Sequence, residues 1–148
     1  MSKVNYKPDG FHSVTPYLTV TGASKLLDFL KQAFGAEEID RHLEPSGRIA
    51  HACVKIGDSA VELSDATEKW PAMPSALHFY VPDVDATYKR ALQAGGTSLQ
   101  EPTDQFYGER SCTVRDICGN NWYIATQTEV LTKADIDKRV AEMAGKRG

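Results

Sequence analysis

Residues 14–20 alternate in polarity, with Val14, Leu18 and Val20 on one side and Thr15, Tyr17 and Thr19 on the other, which is the period-two pattern of a strand. The period then changes. Leu26, Leu27, Leu30, Ala33 and Phe34 fall on one helical stripe, and Gly35 stands where a helix commonly ends in a left-handed residue. Residues 36–43 and 48–56 read as a hairpin turning across Glu44-Pro45-Ser46-Gly47, and Gly57-Asp58 leads into a further strand containing Ala60 to Ser64. The order is βαβββ.

That order is written a second time. A strand over about 76–81 precedes a helix begun by Asp83 or Asp85, which buries Val84, Tyr88, Ala91 and Leu92. Strands follow near 97–101, 110–115 and 121–127, with a loop from Pro102 to Gly108. Val20 and Val81, Gly35 and Gly96, and Gly47 and Gly108 each stand 61 residues apart. A repeat of this kind predicts two copies of one supersecondary unit. They form a single domain over 12–128, with modules of about 14–65 and 76–127. Thr132-Lys133-Ala134-Asp135 resembles a capping box and opens a helix striped by Ile136, Val140 and Met143, so 129–148 is a C-terminal helical extension lying on the domain or on a partner chain.

Alternation also sorts the two faces of the strands. Leu18, Val20, Val61, Leu63, Leu77, Phe79, Val81, Trp122 and Ile124 form one apolar set that can receive the helices. The opposite face carries Thr15, Tyr17, Thr19, Glu62, Ser64, Ala76, His78, Tyr80, Asn121, Tyr123 and Ala125. It is polar and aromatic. Such a face either meets solvent or walls a ligand cleft in which a few polar groups orient a molecule between rings.

Charge and composition narrow the field. With 17 Lys and Arg against 20 Asp and Glu, the chain has a formal net charge of −3 and no basic footprint for nucleic acid. No apolar run approaches the roughly 18 residues of a membrane span, and the segment from Met1 to His12 has no apolar core of a signal peptide. Cys53, Cys112 and Cys118 show neither zinc spacing nor a disulfide framework, so they read as packing thiols of a cytoplasmic protein.

Specific stretches resemble the vicinal oxygen chelate superfamily, which includes glyoxalase I, bleomycin-resistance proteins, fosfomycin-resistance enzymes and extradiol dioxygenases. They are Thr15-Pro16-Tyr17-Leu18, Gly57-Asp58-Ser59 with Glu62-Leu63, Asp83-Val84-Asp85-Ala86, and Phe106-Tyr107-Gly108-Glu109-Arg110 running to Asp116-Ile117-Cys118-Gly119-Asn120. The resemblance covers about 12–128 and is strongest to glyoxalase-like, bleomycin-resistance-like proteins. It implies an α+β fold in which paired βαβββ modules form a curved mixed sheet with a concave ligand cleft, followed here by the C-terminal helix. It also implies a homodimer.

In the metal-dependent members, four ligands come from the first and last strands of the modules, and projection places them at Thr15, Glu62, Ala76 and Tyr123. Only Glu62 is a good ligand, whereas a catalytic divalent metal wants about three nitrogen, sulfur or carboxylate donors. The resulting expectation is a metal-independent protein that sequesters or recognises a small polar or aromatic ligand, with no cofactor. Its ligand-binding residues would be Thr15, Tyr17, Glu62, His78, Tyr80, Tyr107, Arg110 and Tyr123. Arg110 would clamp an anionic group or pair with Asp116.

Two alternatives stay open. Glu62 and His78 would be catalytic in a lyase or isomerase that transfers protons, or Glu62, His78 and His51, with His12 as a further candidate, would hold a divalent metal in an oxygenase or transferase. A third reading is a structural or regulatory dimer that contacts its partner through residues 131–148. No nucleic acid or membrane partner is expected.

Overall fold

The computed structural model describes residues 3–147; Gly148, the last residue of the expected extension, lies outside them. The first module contains β1 (Tyr17–Val20), α1 (Ala23–Phe34), β2 (Glu37–Leu43), β3 (Ile49–Ile56) and β4 (Ser59–Asp65). The second contains β5 (Ala76–Tyr80), α2 (Val84–Gln93), β6 (Thr97–Asp104), β7 (Glu109–Arg115) and β8 (Asn121–Gln127), and α3 (Lys133–Arg147) follows. The strands make two four-stranded mixed sheets ordered β1-β4-β3-β2 and β5-β8-β7-β6. In each sheet the first strand runs parallel to the last and the other pairings are antiparallel.

The repeat extends to register. Tyr17 pairs with Glu62 and His78 with Tyr123, so both members of the pair move by 61 residues between modules. Helix capping follows the same rule. Gly22 precedes α1 and has no side chain to cap it, and the Asp65 carboxylate at the end of β4 accepts from Gly22 N (3.2 Å) and Ala23 N (2.8 Å) and, through its other oxygen, from Ile49 N (2.8 Å). In the second module Thr126 Oγ1 accepts from Val84 N (3.0 Å) and donates to Val81 O (2.8 Å), while Asp83 caps α2 by accepting from Ala86 N.

The apolar set forms the core between the helices and their sheets. Leu18, Leu63, Val54 and Ile124 are at most 1% exposed. The modules meet at Phe34 of α1, whose ring centroid lies 5.1 Å from that of Phe79 and 4.8 Å from that of Trp122. Emptying such a site costs about 3–5 kcal/mol in a typical core. Close approach is enforced at Gly96, where a Cβ would stand 2.8 Å from Val114 Cγ1 and 2.9 Å from the Ala91 carbonyl. Trp122 is also a donor: the buried Asp116 carboxylate accepts from Trp122 Nε1 (2.9 Å), Asn120 N (3.0 Å) and Cys118 N (2.8 Å), fixing the turn between β7 and β8.

Three expectations need correction. The first strand begins at Tyr17, leaving Val14 exposed, because Pro16 has no N–H to donate and meets β4 only through its carbonyl, which accepts from Glu62 N (2.9 Å). β6 runs past Pro102 to Asp104, with register shifts between Ser98 and Gln100 and between Gln100 and Thr103; a sheet edge tolerates proline at such an irregularity. α2 buries Val84, Thr87 and Ala91 and leaves Leu92 36% exposed: the buried residues lie on one stripe at i, i+3 and i+7, and the Thr87 hydroxyl is satisfied by donating to Asp83 O (3.1 Å). The Thr132–Asp135 capping box is present in both directions, at 3.1 and 3.0 Å.

Candidate functional site

Strand order brings Tyr17, Glu62 and His51 to one face of the first sheet. β4 lies between β1 and β3, and Glu62 is the register partner of both Tyr17 and Cys53, two residues from His51. His51 Nε2 is 2.9 Å from Glu62 Oε1, and its Nδ1 is 3.7 Å from Asp40 Oδ1 on β2. The Tyr17 ring centroid is 6.1 Å from that of His51. Beside this row, Tyr17, Thr19, Arg48, Ser64 and Trp70 contribute to a hollow of about 340 Å3. Arg48 brings little free charge to it, since its guanidinium bonds to Glu44 and to the Asp65 carbonyl.

The second sheet presents His78, Tyr80 and Tyr123. The His78 and Tyr80 rings lie 4.5 Å apart, and Tyr123 is the register partner of His78. The Tyr80 hydroxyl donates to Glu109 Oε2 (2.7 Å), a bond that raises the phenol above its ordinary pKa. Tyr80, Val81, Pro82, Glu109 and Gln127 line an open hollow of about 560 Å3. His78 and Tyr80 also border a cavity of about 410 Å3 between the modules, with Trp122, Phe79 and Val61 inside and Pro16, Asp58 and Ser59 among its lining. These volumes are in the range of small-molecule sites.

The expected site residues therefore divide into two groups. Tyr17, Glu62 and His51 belong to the first module, and His78, Tyr80 and Tyr123 to the second. Among the described residues, no hydrogen bond, ion pair or ring contact joins the groups. Thr15 lies ahead of β1, its hydroxyl 3.5 Å from the His12 carbonyl. Tyr107 sits on the turn before β7, edge-on to Phe106 with centroids 5.0 Å apart.

Arg110 does not pair with Asp116. It lies on β7, on the side of Cys112 and Val114 that faces the core, and its guanidinium binds Asp85 through both carboxylate oxygens (2.9 and 3.0 Å) and Asp104 (3.3 Å). Asp116 is instead occupied by Trp122 and Asn120. Burial pushes the Cys112 and Cys118 thiols up to about 11 and raises Cys53 as well, which suits packing residues rather than nucleophiles.

The side chains fit a metal poorly. Glu62 is bonded to His51 while His78 packs at a tilt against Tyr80, and among the described residues no three His, Cys, Asp or Glu side chains form a group able to hold an ion. Asp40, Glu109 and Trp70 were missed as site residues. Alternation does not place Asp40, because β2 shifts register between Glu38 and Asp40, and the other two needed the tertiary fold.

Residues 10–124 match the model of the Glyoxalase/Bleomycin resistance protein/Dioxygenase superfamily. The chain belongs to that superfamily. Uncharacterized proteins of Mycobacterium bovis and Mycobacterium tuberculosis are 30% identical to it over 144 residues, covering 90% of this chain and 92% and 82% of theirs. Among solved structures of this fold, TioX from Micromonospora sp. ML1 matches with a TM-score of 0.69 and 24% identity, over 78% of this chain and 98% of TioX. TnmS3, an antibiotic binding protein from Streptomyces sp. CB03234, matches with a TM-score of 0.62 and 21% identity, over 78% of this chain and 97% of TnmS3. No described helix is long and apolar enough to cross a membrane.

Proposed function

We propose that the protein binds a small polar or aromatic molecule without a metal, so as to sequester or recognise it. The observation that carries this reading is the His78, Tyr80 and Tyr123 face: Tyr80 is 57% and Tyr123 44% exposed, side by side with a histidine on adjacent strands. Rings held rigidly by a sheet offer stacking area at little entropic cost, and their polar tips orient a ligand. The antibiotic-binding description of TnmS3 supports the same use of the fold. A homodimer would bring the Tyr17 and Glu62 face of a second copy over these rings and complete the cleft, with Tyr107 at its rim and Thr15 at the entrance to β1. Arg110 is left out because it serves α2. Three free cysteines support a cytoplasmic setting.

The test joins light scattering to a thermal-shift screen of aromatic compounds, cationic ones included. The expected result is a particle of twice the chain mass and a hit whose stabilisation is lost in Tyr123→Ala. Elemental analysis of chelator-free protein provides the opposing arm: about one transition metal per chain, lost on Glu62→Ala, would overturn the metal-free reading.

The His51–Glu62 contact supports a second reading, a lyase or isomerase in which Glu62 takes a proton and His51, rather than His78, is its partner. In that case Glu62→Gln abolishes turnover of the identified ligand while changing its affinity only severalfold.

A further inference from the structure

α3 lies beyond residues 10–124, the span of the superfamily match, yet it is tied to the turn that borders the aromatic face. Arg139 donates from Nη1 to the Phe106 carbonyl (3.0 Å) and to Glu129 Oε1 (3.0 Å), and from Nη2 to Glu129 Oε2 (2.8 Å). The segment entering the helix closes on the same turn. Thr128 N and Glu129 N both donate to the Gly108 carbonyl (2.8 and 3.1 Å). Gly108 is buried at φ +85°, and a Cβ there would stand 2.9 Å from Glu129 O and 3.2 Å from Leu131 Cδ1.

The turn in turn holds ring positions. Glu109 follows Gly108 directly, its carbonyl accepts from Gln105 N (2.7 Å), and its carboxylate takes the Tyr80 hydroxyl (2.7 Å). Tyr80 packs at a tilt against His78, and Tyr107 packs edge-on to Phe106, the residue whose carbonyl Arg139 holds. Broad apolar packing does not fix α3: Val140 and Met143 remain 45% and 37% exposed, and the helix shares no extended contact with another helix or strand among the described residues. Its defined attachments are polar and aimed at residues 106 and 129.

We propose that α3 is a clamp on the 105–109 turn, with Arg139 as the positioning residue that sets Tyr107 and Glu109 and, through them, the shape of the aromatic face. The proposal rests on the reading of that face as the ligand surface. Arginine suits the task because a planar fork reaches one carbonyl and both oxygens of a carboxylate at once, whereas lysine supplies a single point charge.

The experiment uses the full chain with Arg139→Gln, Arg139→Lys and Glu129→Gln, and three readouts. These are hydrogen exchange at the Tyr107, Gly108 and Glu109 amides, the ionisation of Tyr80 followed by tyrosine-labelled NMR, and binding of the fluorescent aromatic probe 1-aminoanthracene. The groups facing the Tyr80 phenol are Glu109 from β7, Tyr107 from the turn and His78 on its own strand.

With the clamp removed, exchange at the three amides rises by about tenfold or more, and Tyr80 ionises at lower pH as its bond to Glu109 loosens. Probe affinity changes by about threefold or more, and Arg139→Lys recovers part of each effect. Unchanged exchange and unchanged Tyr80 ionisation in a folded Arg139→Gln protein overturn the clamp. A loosened turn with unchanged probe affinity overturns its role in shaping the face. If the wild-type protein does not bind the probe, the ligand reading of the face is what fails, and the clamp is judged on the first two readouts.

Discussion

Asp65 and Thr126 do the same job from equivalent places, 61 residues apart near the end of the last strand of each module: each caps the first turn of that module's helix, at Ala23 N (2.8 Å) and Val84 N (3.0 Å) respectively. Asp65 satisfies three backbone donors and Thr126 one. Asp65→Ala therefore destabilises the protein by about 2 kcal/mol or more, and Thr126→Val by about 1 kcal/mol. Urea unfolding measures both, and equal losses would contradict the count of donors.

The turn between β7 and β8 depends on one buried carboxylate. Replacing Asp116 with alanine strands Trp122 Nε1 and the Cys118 and Asn120 amides. The expected cost is about 3 kcal/mol, seen as a lower denaturant midpoint at an unchanged m-value.

Thiol chemistry gives a direct test of burial. With Cys112 and Cys118 pushed up to about 11 and Cys53 also raised, little thiolate exists at pH 8 in the folded chain. Ellman's reagent should label the native protein slowly and the urea-unfolded protein fast. Rapid labelling of any native cysteine would show that the surrounding packing opens.

Acid should weaken the link between α2 and β7. The Arg110 guanidinium holds Asp85 below the usual carboxylate range, so the stability from this pair is fully present above the unfolded-state pKa and is lost as pH falls through the lower folded-state value. Asp85→Asn lacks that titration. Its melting temperature should drop less than that of the wild type between pH 5 and pH 3, and an equal drop would refute the assignment.

Most of the fold was legible because alternation and helical striping are local signals. The inward set from Leu18 to Ile124 and the outward set from Tyr17 to Tyr123 need only the period of each segment. The site was harder to read. Glu62 meets His51 rather than His78 because β4 is flanked by β1 and β3 of its own module, and strand order is set by long-range pairing that no local pattern encodes. Arg110 misled for a similar reason: Asp116, close by in sequence, looked like its partner, but the partner the fold supplies is Asp85, 25 residues away and on a helix.

The matched register of Tyr17 with Glu62 and His78 with Tyr123 gives the chain its own internal control. A substitution made in one module can be repeated at the corresponding backbone position of the other, so that side-chain chemistry is varied while the local scaffold is held nearly constant. Tyr123→Glu, for instance, transplants the acid of the first sheet onto the second, where its register partner on the parallel strand is His78 instead of a tyrosine. Duplication has in effect left two interchangeable mounts on one molecule, on which a new binding chemistry can be built in one half while the other keeps the old.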